Sequence, residues 1–171
     1  MLEKIMTAAA LMAMTACGGI LIVPITNAGT LGFANSSGWS TAPAVTVDDV
    51  NFGSMLNNLR ITNGVGTVSY DSRLDDAAQA HAEDMVTNNY FDHLSQDGRT
   101  ALDRIKAAGY RPVIYGENIA GRQQSDSEVL NAWNNSPDHN AVLNTAGFED
   151  FALGVAGEGS STRWVLLMAS E

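Results

Sequence analysis

The chain has 171 residues, enough for one domain with a real hydrophobic core plus a short appendage. Aspartate and glutamate outnumber lysine and arginine by 19 to 9, for a formal net charge of -10; such a surface repels phosphate backbones and offers no polybasic patch to anionic lipid headgroups, so nucleic acid is not an expected partner. The single cysteine, Cys17, excludes an intrachain disulfide framework, and it leaves the rest of the chain without a thiol nucleophile or a cysteine-based zinc site.

Residues 1–17 read as an export signal. A short polar start with Lys4 is followed by an apolar run from Met6 and a small-residue cleavage region. Met14-Thr15-Ala16-Cys17 resembles a bacterial lipoprotein lipobox, with Met14 in the place of the usual branched residue. The resemblance implies cleavage before Cys17 and lipidation of that residue. Two other readings stay open: a cleaved, freely secreted chain, and an uncleaved anchor, because the uncharged run continues through Gly18 to Val23 and Pro24. All three export the chain, to a lipid-anchored place on the cell envelope or to the exterior, and any membrane contact is through an N-terminal anchor alone. Residues 18–46 read as a flexible linker, rich in Gly, Ser, Thr, Ala and Asn and without helical or strand period.

The folded part is expected over 47–171. Asp48-Asp49 opens a helix in which Phe52, Met55, Leu56 and Leu59 recur at helical spacing, and Asn63-Gly64 ends it. Thr67 to Tyr70 is a short extended link. Ser72-Arg-Leu-Asp75 has a capping-box pattern, and Leu74, Ala77, Ala78, His81 and Met85 form one face of the helix that follows. Asn89 to His93 leaves that helix, and Gln96-Asp97-Gly98 is a turn. A third helix runs from Thr100 to Ala108, capped by Gly109. Tyr115-Gly-Glu-Asn-Ile-Ala120 reads as a compact link. Ser125 to Glu128 repeats the capping signal, Ser136-Pro137 stops that helix, and a short helical piece covers His139 to Leu143. Phe151 to Ala156 and Trp164 to Ala169 are strands joined by an open loop at 158–162. Helices with a terminal strand pair make the class α+β.

Among the groups that could do chemistry, His81 lies on an apolar helix face, where a core or supporting role is the plainer reading. His93 sits in a loop, His139 at a helix start. Glu117 stands in a link with few other charges, free to act or to pair with Arg104 or Arg111. Two imidazoles and one carboxylate make a complete set for a divalent metal with an open position, or for metal-free acid–base work. The three lie far apart, however, with no His-Glu-x-x-His spacing, so only the fold can assemble them. A serine nucleophile has no support: no Gly-x-Ser-x-Gly occurs.

Several motifs in order resemble the CAP superfamily of cysteine-rich secretory, antigen 5 and pathogenesis-related 1 proteins, in its bacterial single-domain SCP-like branch. They are Leu56-Asn-Asn-Leu-Arg60, Ala78-Gln-Ala-His-Ala-Glu-Asp-Met85, Asn89-Tyr-Phe-Asp-His93, Arg104-Ile-Lys-Ala-Ala-Gly-Tyr110, Gly116-Glu-Asn-Ile-Ala120, Trp133-Asn-Asn-Ser-Pro-Asp-His139 and Trp164-Val-Leu-Leu-Met168. The resemblance implies an α-β-α sandwich with a central cleft in which His93, Glu117 and His139 occupy the metal-binding positions. Ser136 stands near the place of the family's second glutamate and Asn140 where bacterial relatives often carry arginine; these two, with Asn118, are expected at the cleft rim.

Three functions follow as expectations. The favoured one is a non-enzymatic extracellular binding module for a lipid, a small hydrophobic ligand or an envelope protein, with a cleft able to hold a divalent metal, zinc first, and no other cofactor. The alternative is a metal-dependent hydrolase or protease using His93, Glu117 and His139, with Glu117 as its catalytic group. The third is a structural envelope protein with a vestigial cleft. Fold alone does not choose among them.

Overall fold

The computed structural model describes residues 48–171; the expected signal at 1–17, Cys17 and the linker at 18–46 lie outside the described residues. Helix α1 (Asp49–Thr62) begins where the Asp48 carboxylate accepts from Asn51 N at 3.1 Å. The two-residue strand β1 (Ser69–Tyr70) leads into α2 (Ser72–Thr87). The cap of α2 is Asp71, one residue ahead of the expected Ser72, because the Asp71 carboxylate accepts from Arg73 N at 2.8 Å. Helix α3 (Ala101–Ala107) carries a reciprocal capping box between Thr100 and Asp103, and Gly109 follows its C-cap at φ 93°, a left-handed conformation that favours glycine.

Residues 115–120 are the main correction to the sequence reading. They form no compact link but most of a strand, β2 (Ile114–Gly121), paired with the last strand along its whole length. Gly116, Glu117 and Asn118 have poor strand preference, so this strand owes its form to its partner. After it come α4 (Asp126–Asn134), capped by Ser125, then α5 (Pro137–Leu143), whose proline stands in the first turn. Strands β3 (Asp150–Ala156) and β4 (Arg163–Ser170) complete the sheet.

The strand order is β1-β3-β4-β2; β1 runs parallel to β3 and the other pairs are antiparallel. Side chains alternate across the sheet, and both faces are covered. Trp164, Leu166 and Met168 of β4 pack with Phe52 and Leu56 of α1, Trp133 of α4 and Leu143 of α5. Val165, Leu167 and Ala169 pack with Leu74, Ala78 and Met85 of α2 and Ile105 of α3. Burial on both faces explains why β3 and β4 read as unbroken apolar runs. The architecture is thus the expected α+β sandwich, helices on either side of one sheet.

Two contacts fix α2 against β3. A Cβ built on Gly154 would stand 2.4 Å from Gln79 N and 2.5 Å from the Ala78 carbonyl carbon, so helix and strand touch backbone to backbone there. The Gln79 amide then meets the main chain of Val155, donating to its O at 3.0 Å and accepting from its N at 3.0 Å. Among the described residues no helix is long and apolar enough to cross a membrane.

Candidate functional site

Two of the groups singled out by sequence, His93 and Glu117, come together around one buried cation. Arg104, on α3, is 4% exposed at its side chain. Its Nη2 donates to Glu117 Oε2 at 2.6 Å and to His93 O at 3.2 Å. Its Nη1 donates to Ser95 Oγ at 3.0 Å and to the carbonyls of His93 and Arg99, each at 3.2 Å. A planar guanidinium suits such a fork of acceptors. The salt-bridge reading of Glu117 with Arg104 therefore holds, and Arg111 plays no part in it.

Glu117 projects from β2, its side chain also 4% exposed. The oxygen that Arg104 leaves, Oε1, accepts from His93 Nδ1 at 2.8 Å. This bond, then the carboxylate charge, raises the His93 pKa above its ordinary 6.5 against the opposing effect of burial. The His93 side chain is 55% exposed. With Nδ1 engaged, the ring nitrogen it has left for a ligand is Nε2. His81, buried beneath, holds the same loop: its Nε2 meets Asp92 O at 3.0 Å. Tyr90 lies within 3.5 Å of His81 Nδ1 and donates to the Asp84 carboxylate. Burial lowers the His81 pKa, so His81 supports the loop as a neutral ring, as its apolar helix face suggested.

On the opposite wall, His139 stands in the first turn of α5, its Nδ1 2.8 Å from Ser136 Oγ. Here too Nε2 is the nitrogen left over. Asn118 lies under this helix rather than at the rim, buried, with its Nδ2 donating to His139 O at 3.0 Å. Asn140 turns back to α4 and donates to Asn134 O and Oδ1. Of the expected rim, Ser136 alone lines the cleft.

The cleft between the walls has a volume of about 560 Å³. His93, His139, Ser136 and Asp92 supply its polar side, and Phe91, Ile119, Ala132 and Trp133 much of the apolar one. Glu117 does not line it but stands behind His93. Among the described residues no three His, Cys, Asp or Glu side chains gather closely enough to hold a metal ion. Glu117, both of whose oxygens are engaged, holds the His93 ring in place, and both cleft imidazoles are held at Nδ1. Arg104 is the member of the site that sequence reading did not single out beyond its pairing; its signal was a lone arginine at an otherwise core position of α3.

The family model described as CAP, cysteine-rich secretory protein family, matches residues 54–168. An uncharacterized protein, YkwD, of Bacillus subtilis (strain 168) is 33% identical over 62% of this chain and 41% of its own length. An uncharacterized membrane protein, YlbC, of the same organism is 29% identical over 59% of this chain and 29% of its own. The chain thus spans less than half the length of these relatives. Among solved structures, an extracellular protein containing a SCP domain from Bacillus anthracis superposes with TM-score 0.67 at 25% identity, over 72% of this chain and 40% of that one. An outer surface protein from Borrelia burgdorferi shares the fold at TM-score 0.64 and 21% identity, over 71% of this chain and 90% of that one.

Proposed function

Since the chain belongs to the CAP family, we propose that it is an exported binding module whose cleft presents two imidazoles to a ligand, directly or through a divalent metal, zinc first. The observation that carries this reading is the pairing of each cleft histidine at Nδ1, His93 with Glu117 and His139 with Ser136, which leaves both Nε2 atoms available. Metal-bound histidines commonly have their other nitrogen held in this way. A bound zinc would supply an electron-pair acceptor at the cleft. The ligand remains within the classes named from sequence: a lipid, a small hydrophobic molecule or an envelope protein.

The commitments of Glu117 support binding over hydrolysis. A general base must reach the proton it takes, whereas both Glu117 oxygens are occupied and the side chain is nearly closed to solvent. Export rests on residues 1–17, with lipidation of Cys17 as the form of anchoring; a relative is itself an extracellular protein.

Calorimetric titration of the full chain with zinc tests the metal part. Binding is expected in the parent, absent in His93→Ala and His139→Ala, and weakened roughly 10–100-fold in Glu117→Gln, as for other groups that orient a ligand. Absence of binding, or binding indifferent to both histidines, overturns it. Turnover of peptide or ester substrates that vanishes in Glu117→Gln would return the hydrolase reading.

A further inference from the structure

The first two turns of α1 run beside a groove that the candidate cleft does not include. Val50, Gly53, Ser54 and Asn57 recur at the i, i+3, i+4, i+7 spacing of one helix face, and that face is one wall. Val68, Tyr70 and Phe151 form the other, and the space between them measures about 490 Å³. Gly53 has no side chain, and the Phe151 ring lies 2.7 Å from where its Cβ would stand, so the floor of the groove is an aromatic ring against helix backbone. Tyr70 stands edge-on to that ring, with centroids 6.3 Å apart. Tyr70 is 45% exposed and Val50 82% exposed, so large apolar groups remain open on both lips. Single exposed apolar residues are ordinary, whereas several around one concavity mark a surface that receives something.

Asp49 adds one polar point to this lining. Among the described residues its Oδ1 is buried and has no hydrogen-bond partner, a costly condition that an N–H or O–H donor relieves. Burial first, then the charges of Asp75, Asp126 and Asp48, raise the Asp49 pKa above its ordinary 3.8, so a carboxylate or phosphate headgroup is disfavoured there. The occupant that suits the groove is an uncharged apolar body with one donor at its edge. An indole has that form: a flat apolar ring system whose one polar group is an N–H.

The chain carries such a group close by. Residues 39–46, Trp-Ser-Thr-Ala-Pro-Ala-Val-Thr, precede the groove and hold no charge for the Asp49 cluster to repel. Trp133 and Trp164 are 1% and 0% exposed, and a third tryptophan left in water would be the exception. Trp39 precedes Asp48 by nine residues, a reach of about 30 Å when extended, against about 12 Å from Asp49 to Asn57 along the helix. Pro43 fixes its own φ and keeps Ala42 extended, which lowers the entropy lost on ordering this segment. We propose that residues 39–46 fold back along α1 and seat the Trp39 indole in this groove, with its Nε1–H donating to Asp49 Oδ1. Residues 18–38 alone then act as the tether. The groove lies against β1 and β3 and the candidate cleft against β2, at the other edge of the sheet, so docking holds the cleft on the side away from the point where the tether arrives. The inference uses no cleft residue and stands whether or not the cleft binds zinc.

Acrylamide quenching of tryptophan fluorescence in the full chain tests it. Trp133 and Trp164 are already shielded, so the difference between the parent and Trp39→Phe reports Trp39. That component should be quenched several-fold less in the parent than in Ser54→Arg, whose longer side chain fills the groove from an exposed helix position. Asp49→Ala should release part of the shielding and return the Trp39 indole N–H resonance toward that of a solvated indole. Should Ser54→Arg fail to fold, Tyr70→Ala, which removes one lip, decides in its place. Quenching of Trp39 that is as strong in the parent as in the groove variants overturns the proposal, and so does shielding that none of them alters. Shielding that grows with protein concentration assigns the groove to the same segment of a second copy and overturns docking within one chain.

Discussion

Arg104 carries more of the site than either histidine, since the loop of His93, the carboxylate of Glu117 and the start of α3 all converge on its guanidinium. Removing one partner of a buried ion pair leaves the other charged and unsolvated, a loss of about 3–5 kcal/mol. Arg104→Met is expected to lose about that much, read as a lower urea midpoint with unchanged slope. Arg104→Lys should recover only part of it, because an ammonium on a flexible stem does not reproduce the fork. Near-parental stability in Arg104→Met would show that the acceptors find other donors. That Glu117 pairs with Arg104 was legible from sequence as one of two candidates. That the pair stands behind His93 was not, because 24 residues separate His93 from Glu117 and only the fold closes that gap.

At the level of elements, Gly154 has the sharpest consequence. Its missing side chain lets α2 rest directly on β3, and a methyl group would meet peptide backbone, which cannot swing aside. Gly154→Ala is expected to cost at least about 2 kcal/mol, in the range of overpacked cores, measurable by chemical denaturation; a neutral result would mean that helix and strand can separate without loss. Elements that bury a strong apolar pattern were readable in advance, as β3, β4 and the Leu74–Met85 face of α2 show. β2 was not. Its sequence carries glycine and two polar residues, and the order it has comes from β4, more than forty residues further on. The shift of the α2 cap from Ser72 to Asp71 is a smaller case: both residues can cap, and only the carboxylate of Asp71 reaches an amide of the first turn.

For the molecule as a whole, the two histidines around Asp92 oppose each other in pH dependence. His93 has a raised pKa, so its contribution to stability is complete below 6.5 and fades as pH rises through its folded value. His81 has a lowered pKa, so its neutral form supports folding above 6.5 and stability falls as pH drops toward its folded value. Glu117→Gln removes the main cause of the first effect and spares the main cause of the second. The variant's melting temperature is therefore expected to fall less with rising pH above 6.5 than the parent's, and the His93 titration followed by NMR should fall toward 6.5. A parallel pair of stability curves would sink this account. The -10 charge bears on solubility and partner choice rather than on the fold.

A sheet that receives a helix side chain at the main chain of β2 on one side and of β3 on the other also limits how such molecules can assemble. Strands that are free on both sides propagate: each added copy presents a new end, and the product is a fibre. Trp133 of α4 reaches Ile119 O in β2, Gln79 of α2 takes both main-chain groups of Val155 in β3, and β1 is two residues long, so neither side offers a long unbroken run to a further strand. A second copy settling edge to edge on β2 would first have to displace a buried indole. Crowding, ordinarily a hazard for exposed strands, then meets no long edge to extend.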